Sequence, residues 1–92
     1  MNQRLVVLIL DIRRDPSEGD LDLLTWLRSE KRTALVVLTK IDKLSHSEQK
    51  QRSAKILLQL KPFGVAETVL FSARTGAGKD VLWEKMGALG LQ

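Results

Sequence analysis

Residues 33–42 read Thr-Ala-Leu-Val-Val-Leu-Thr-Lys-Ile-Asp. The apolar run does not alternate with polar residues, as it would on a half-exposed strand. An unbroken run of this length suits a strand buried on both faces, the situation of a central strand in a parallel sheet. Thr33–Thr39 is therefore expected to be a buried strand that hands over to a loop at Lys40–Leu44. The loop opens with a lysine, a spacer and an aspartate, so the polar chemistry starts where the strand stops.

Two further runs repeat this arrangement. Leu5 to Leu10 is a second unbroken apolar run, ended by Asp11. Thr-Val-Leu-Phe-Ser at 68–72 is a third strand candidate, followed by Ala-Arg-Thr-Gly-Ala-Gly. Helical spacing fills the gaps. Ser17, with Asp20 three residues on, caps a helix expected over Glu18–Lys31, with Leu23, Leu24, Trp26 and Leu27 as its apolar side. Trp26 is expected to be a packing residue. Ser45 and Glu48 form a capping box for a helix from His46 to about Lys61. Its inner side is expected to carry Ala54, Ile56, Leu57, Leu58 and Leu60, and its outer side Lys50, Arg52, Lys55 and Lys61. Pro62 and Gly64 stop it. A last helix over Lys79–Leu89 turns Leu82, Met86 and Leu89 inward, with Trp83 on a neighbouring face. The order β-α-β-α-β-α with right-handed crossovers gives a parallel sheet. The first two helices share one face and the last crosses to the other. Three strand-end loops, Asp11–Arg14, Thr39–Leu44 and Ser72–Gly78, then lie along one rim, where open α/β sheets bind ligands.

The chemistry at that rim is specific. A carboxylate such as Asp42 accepts two parallel hydrogen bonds from a flat amidine edge, of which guanine N1–H and N2–H2 are an example. The methylene stem of Lys40 can lie over the same ring. Backbone N–H groups around Ser72-Ala73 suit a carbonyl such as guanine O6. Either half alone is a weak signal; both at strand ends of one sheet form a base-reading pocket.

Here a resemblance can be stated. The stretches LVVLILDIRRDPSEGDLDLLTWL, ALVVLTKIDKLS and TVLFSARTGAGKDVLWEKM resemble the carboxyl-terminal half of the EngB (YsxC/YihA) family of TRAFAC-class ribosome-assembly GTP-binding proteins. The resemblance implies a three-layer, Rossmann-like fold of the P-loop NTPase kind. Of this fold, residues 1–92 would be the guanine-recognition half, a partial three-stranded parallel sheet with three helices. It implies that Asp42 fixes guanine through N1 and N2, that Lys40 covers the base, that Thr39 braces the loop and that the Ser72-Ala73 backbone meets O6. GTP or GDP with Mg²⁺ are the implied cofactors. The family hydrolyses GTP and acts in large ribosomal subunit assembly and cell division. The phosphate loop, switch threonine and Asp-x-x-Gly element of such proteins have no match before Arg4. The chain alone is thus expected to bind guanine weakly, to hold no metal ligands and no catalytic residues, and not to hydrolyse GTP. Its first strand, lacking a neighbour, is expected to self-associate through Leu5–Leu10.

Other features narrow the field. Ninety-two residues make one domain at most, burying roughly 60–65% of the unfolded surface. Cysteine is absent, which excludes disulfides and thiolate metal sites. There is no membrane-length apolar run and no signal peptide, so a cytoplasmic protein is expected. Ala73–Asp80 places Gly78-Lys79 at a phosphate-loop spacing, but the first glycine is missing. Asp80 also stands where a Mg²⁺-binding hydroxyl is required. His46 is the single histidine, with no ligand partners at metal spacing. The net charge of +4 permits ribosomal RNA or the large subunit as a partner without demanding it. The alternative expectation is a non-enzymatic α/β module that binds RNA or a protein. A receiver- or flavodoxin-like domain is a weaker alternative, as no acidic cluster surrounds a central aspartate.

Overall fold

The computed structural model describes residues 5–65 and 67–88. Strand β1 spans Leu5–Asp11, helix α1 Glu18–Ser29, strand β2 Thr33–Thr39, helix α2 His46–Leu60, strand β3 Thr68–Leu70 and helix α3 Lys79–Ala88. Short 3₁₀ turns at Ile41–Lys43 and Lys61–Phe63 follow β2 and α2. The sheet is parallel in the order β1-β2-β3, the α/β architecture expected.

The centre of the molecule is β2. Its residues Leu35, Val36, Val37 and Leu38 are all buried. Val36 and Leu38 face one side with Leu10 of β1, Leu24 of α1, and Ile56 and Leu60 of α2. Leu35 and Val37 face the other with Val69 of β3 and Leu82 and Met86 of α3. The first two helices thus share a face and the third crosses over. Each fully buried side chain of this kind contributes about 1.5–3 kcal/mol, so a polar residue at any of the four would abolish the reason for the strand.

The register levels the strand ends. Asp11 pairs with Thr39 and Leu38 with Leu70. Beyond the ladder, Ile12 N–H donates to Thr39 O at 3.0 Å and Phe71 N–H to Leu38 O at 2.9 Å. All three chain reversals therefore begin at one height.

Both capping boxes form. Asp20 N–H donates to Ser17 Oγ while the Asp20 carboxylate accepts from Ser17 N–H. Ser45 and Glu48 do the same for α2. The N–H of Ser45 holds the Glu48 carboxyl below its ordinary range.

Four expectations need correction. Helix α1 ends at Ser29 rather than Lys31, because the chain closes in a Schellman turn. Lys31 N–H donates to Arg28 O and Arg32 N–H to Leu27 O, with Lys31 in the left-handed region at φ 56°. On α2, Ala54 and Leu58 are exposed. They lie two residues either side of buried Ile56, about 200° around a helix of 3.6 residues per turn. Trp26 is 49% exposed, and it stacks under Arg32 instead of entering the core. Strand β3 stops at Leu70 because the backbone of Ser72 leaves the ladder. Its N–H donates to Ala77 O and its carbonyl accepts from Gly76 N–H. Leu89, expected on the inward face of α3, lies outside the described residues.

Candidate functional site

The strand-end loops put Thr39, Lys40, Asp42, Ser72 and Ala73 together at the carboxyl rim. Thr39 Oγ1 donates to Leu10 O at 3.1 Å, which ties the end of β2 to β1. Lys40 then adopts φ 64°, ψ 24°. This left-handed step is uncommon for a residue with a β-carbon. It turns the chain into the 3₁₀ turn, where Ile41 is buried as an anchor and Asp42 faces the rim.

Gln49, on the first turns of α2, clamps this turn. Its Nε2 donates to Ile41 O at 2.8 Å and to Leu44 O at 3.1 Å. Leu44 O has no other partner among the described residues, and Ile41 O shares Gln49 with the N–H of Leu44, which donates to it at 3.0 Å. No sequence motif marks Gln49, since it falls beside the capping glutamate without belonging to the box.

Ser72 joins the two loops. It is the one buried polar side chain among the described residues. Its hydroxyl donates to Asp42 Oδ1 at 3.0 Å and accepts from Thr75 N–H at 3.2 Å. The Ser72 hydrogen bond is the largest cause that holds the Asp42 carboxyl below the ordinary value of 3.8. Partial burial opposes it, and the positive charges of Lys43 and Arg74 add to it. Apart from its own backbone N–H, the Asp42 carboxylate accepts from no residue but Ser72 among the described residues. The N–H groups of Ala73 and Arg74 are unengaged there.

The loop after Ser72 is held tightly. Gly76 and Gly78 both have positive φ, 78° and 83°. At Gly78 the space is closed as well: a β-carbon would collide with Leu70 O. Only glycine satisfies both conditions, and this fixes where α3 starts relative to β3.

Between the two loops opens a cleft of about 430 Å³, lined by Thr39, Lys40, Asp42, Lys43, Ala73 and Arg74. That volume lies within the roughly 300–1,000 Å³ of small-molecule sites. Lys43 and Arg74 were not singled out by the sequence, though each adjoins a residue that was. Ser72 sits behind the wall, so it positions Asp42 from below and does not line the cleft.

The third loop is held by side-chain bonds of its own. Asp11 Oδ1 accepts from Arg13 N–H at 2.9 Å and Nε at 3.1 Å, and Oδ2 from a terminal guanidinium nitrogen at 2.9 Å. This side-chain pairing brings the Asp11 carboxyl down to about 2. Arg52 of α2 reaches across to Ile12 O at 2.9 Å and Asp15 at 3.1 Å. One cation of the expected basic face is thus committed to holding a loop. Among the described residues, no cluster of three or more acidic, histidine or cysteine side chains is placed to hold a metal ion. No helix there is long and apolar enough to cross a membrane.

These features define a class. A parallel sheet covered by helices on both faces, with a ligand-sized cleft at its carboxyl rim, is a Rossmann-like α/β fold. In agreement, the chain superposes on translation elongation factor SelB from Methanococcus maripaludis with a TM-score of 0.80. The match covers 92% of this chain and 19% of that one, at 22% identity. No protein-family model matches the chain. Curated proteins supply the closer affinity. The chain is 48% identical over 90 residues to "Probable GTP-binding protein EngB" of Citrifermentans bemidjiense, covering 96% of this chain and 41% of that protein. It is 47% identical over 81 residues to the protein of the same name in Trichlorobacter lovleyi, covering 88% and 40%. The chain is therefore homologous to EngB proteins over almost its whole length, and spans about 40% of theirs.

A titration tests the Ser72–Asp42 link. By carboxyl-detected NMR, Asp42 should titrate below 3.8. Because the folded-state value is depressed, the stabilisation from this bond is complete above the unfolded aspartate value. It is lost as pH falls through the folded one. Ser72→Ala should move the Asp42 midpoint upward. An unchanged midpoint in the variant would remove Ser72 as the cause.

Proposed function

We propose that residues 1–92 are the guanine-recognition half of an EngB-type G domain and bind the base of GTP or GDP. The observation that carries this reading is the Asp42 carboxylate, ionised and tethered through one oxygen, with the other oxygen open to the cleft. Oδ1 keeps a second lone pair beside its bond to Ser72, so both oxygens can accept from guanine N1–H and N2–H2. Adenine offers a donor and an acceptor reversed along that edge and would leave the carboxylate facing a lone pair. Lys40 lies over the base with its methylene stem, Thr39 braces the turn against β1, and the unengaged Ala73 N–H donates to O6. The name of the relatives, GTP-binding protein, supports the same ligand.

On this reading the phosphates and Mg²⁺ are held by segments of the longer relatives that residues 1–92 do not span. The longer protein is a cytoplasmic GTPase that acts with ribosomal RNA in large-subunit assembly and in cell division. The base pocket alone contributes specificity and little affinity. A few net hydrogen bonds correspond to a dissociation constant on the order of 1 mM. Hydrolysis needs charge stabilisation at the phosphates that these residues do not provide.

The open edge of β1 supports the half-domain reading. In the order β1-β2-β3 it is a terminal strand, yet its sequence is that of an internal one, and Ile9 is 65% exposed. Such an edge takes another strand; in a solution of this chain alone, that strand comes from a second copy.

Two measurements check these statements. Fluorescently labelled GDP should bind the purified chain and be displaced by guanosine but not by ADP. Absence of binding at millimolar nucleotide, or displacement by ADP, would overturn the base pocket. Sedimentation velocity over a concentration series should show a dimer or larger species. A monomer at every concentration would contradict edge pairing.

A further inference from the structure

The rim opposite the nucleotide cleft carries a second site. There α1 ends in its Schellman turn, with Lys31 in the left-handed region. This turn swings Arg32 back so that its guanidinium lies 5.2 Å from the centre of the Trp26 ring. Arg28, one turn earlier, donates to Pro62 O at 3.0 Å and bridges to the segment after α2. Between the two arginines opens a cleft of about 260 Å³, floored by Leu24, Leu27, Ala34, Phe63 and Val65.

Three properties define what fits. The first is size. The cleft is smaller than the roughly 300–1,000 Å³ of cofactor and drug sites, so it takes a single side chain. The second is charge. Arg28 and Arg32 line it, and neither pairs with a carboxylate among the described residues. The planar donors of a guanidinium match a carboxylate in two hydrogen bonds. The third is composition. Two arginines line an apolar pocket, one of them stacked on the adjoining Trp26, and arginine and tryptophan are residue types that dominate protein–protein binding energy. A nucleic acid is the poorer match. The floor is largely aliphatic, and Arg32 already occupies one face of Trp26, leaving little surface for base stacking. The cations also complement the negative end of α1, but that role needs no apolar cleft between them.

We propose that this cleft docks an acidic segment of a partner protein, with one apolar side chain in the cleft and flanking carboxylates on Arg28 and Arg32. The site lies at the opposite end of the strands from Asp42, so it is available whether or not nucleotide is bound.

The test uses the ¹⁵N-labelled chain and a capped pentapeptide with phenylalanine between two pairs of glutamates. The amides of Leu27, Gly64 and Val65 should shift on titration. Replacing the phenylalanine by alanine, or the glutamates by lysines, should weaken binding about tenfold or more, as expected for loss of an anchor or reversal of charge. Arg32→Gln should weaken it about fivefold, the scale of one interface arginine. Lys50→Gln, an equal charge change on α2, should not. The dispersion of each variant's own spectrum reports that it is folded. The proposal is overturned if those amides stay unmoved at millimolar peptide or respond equally to the lysine version. It also fails if oligouridylate shifts them where the acidic peptide does not.

Discussion

The burial of β2 on both faces is the constraint on which the rest depends. A strand with apolar side chains on each side needs a helical layer above and below and a strand to either flank. The connections that supply those layers return the chain to the same rim every time. The polar chemistry collects there because the strands stop together, with Asp11 level with Thr39 and Leu38 level with Leu70. The site is thus a by-product of register.

A single hydroxyl then converts two neighbouring loops into one site. Ser72 is buried, donates to Asp42 and accepts from Thr75. The loop on its other side is closed by backbone bonds and by Gly78, where no other residue fits. Gln49 restrains the facing loop from α2. The Asp42 carboxylate is therefore preorganised without being buried, which keeps it ionised and open to a ligand. Preorganisation of this kind lowers the ordering cost of binding.

The sequence disclosed most of this architecture because its local signals agree with its global ones. Unbroken apolar runs marked the strands, and both Ser-x-x-acid boxes marked helix starts. The five residues expected at the rim lie there, four of them around the cleft and Ser72 behind it. What stayed hidden depended on rotation and on long-range bonds. Leu58 belongs to an apolar cluster in the sequence, but helix α2 is rotated by Ile56 and Leu60. Trp26 has the composition of a core residue, but α1 satisfies its inner face with Leu24 and Leu27. Gln49 and Arg52 act on backbone carbonyls distant in sequence or in motif, which no spacing rule reveals. The opposite-rim cleft was invisible for a similar reason: it is built where the end of α1, the start of β2 and the turn after α2 meet.

The measurement that bears most directly on the central claim is a base-specificity swap at Asp42. Asn in place of Asp exchanges one acceptor oxygen for a donor amide. Asp42→Asn should therefore lose guanosine and gain xanthosine, whose 2-oxo group accepts where guanine's amine donates. A reversal of preference between the two nucleosides is the predicted result. Loss of guanosine with no gain of xanthosine, or retention of guanosine by the variant, would contradict the assignment of Asp42 as the group that reads the base.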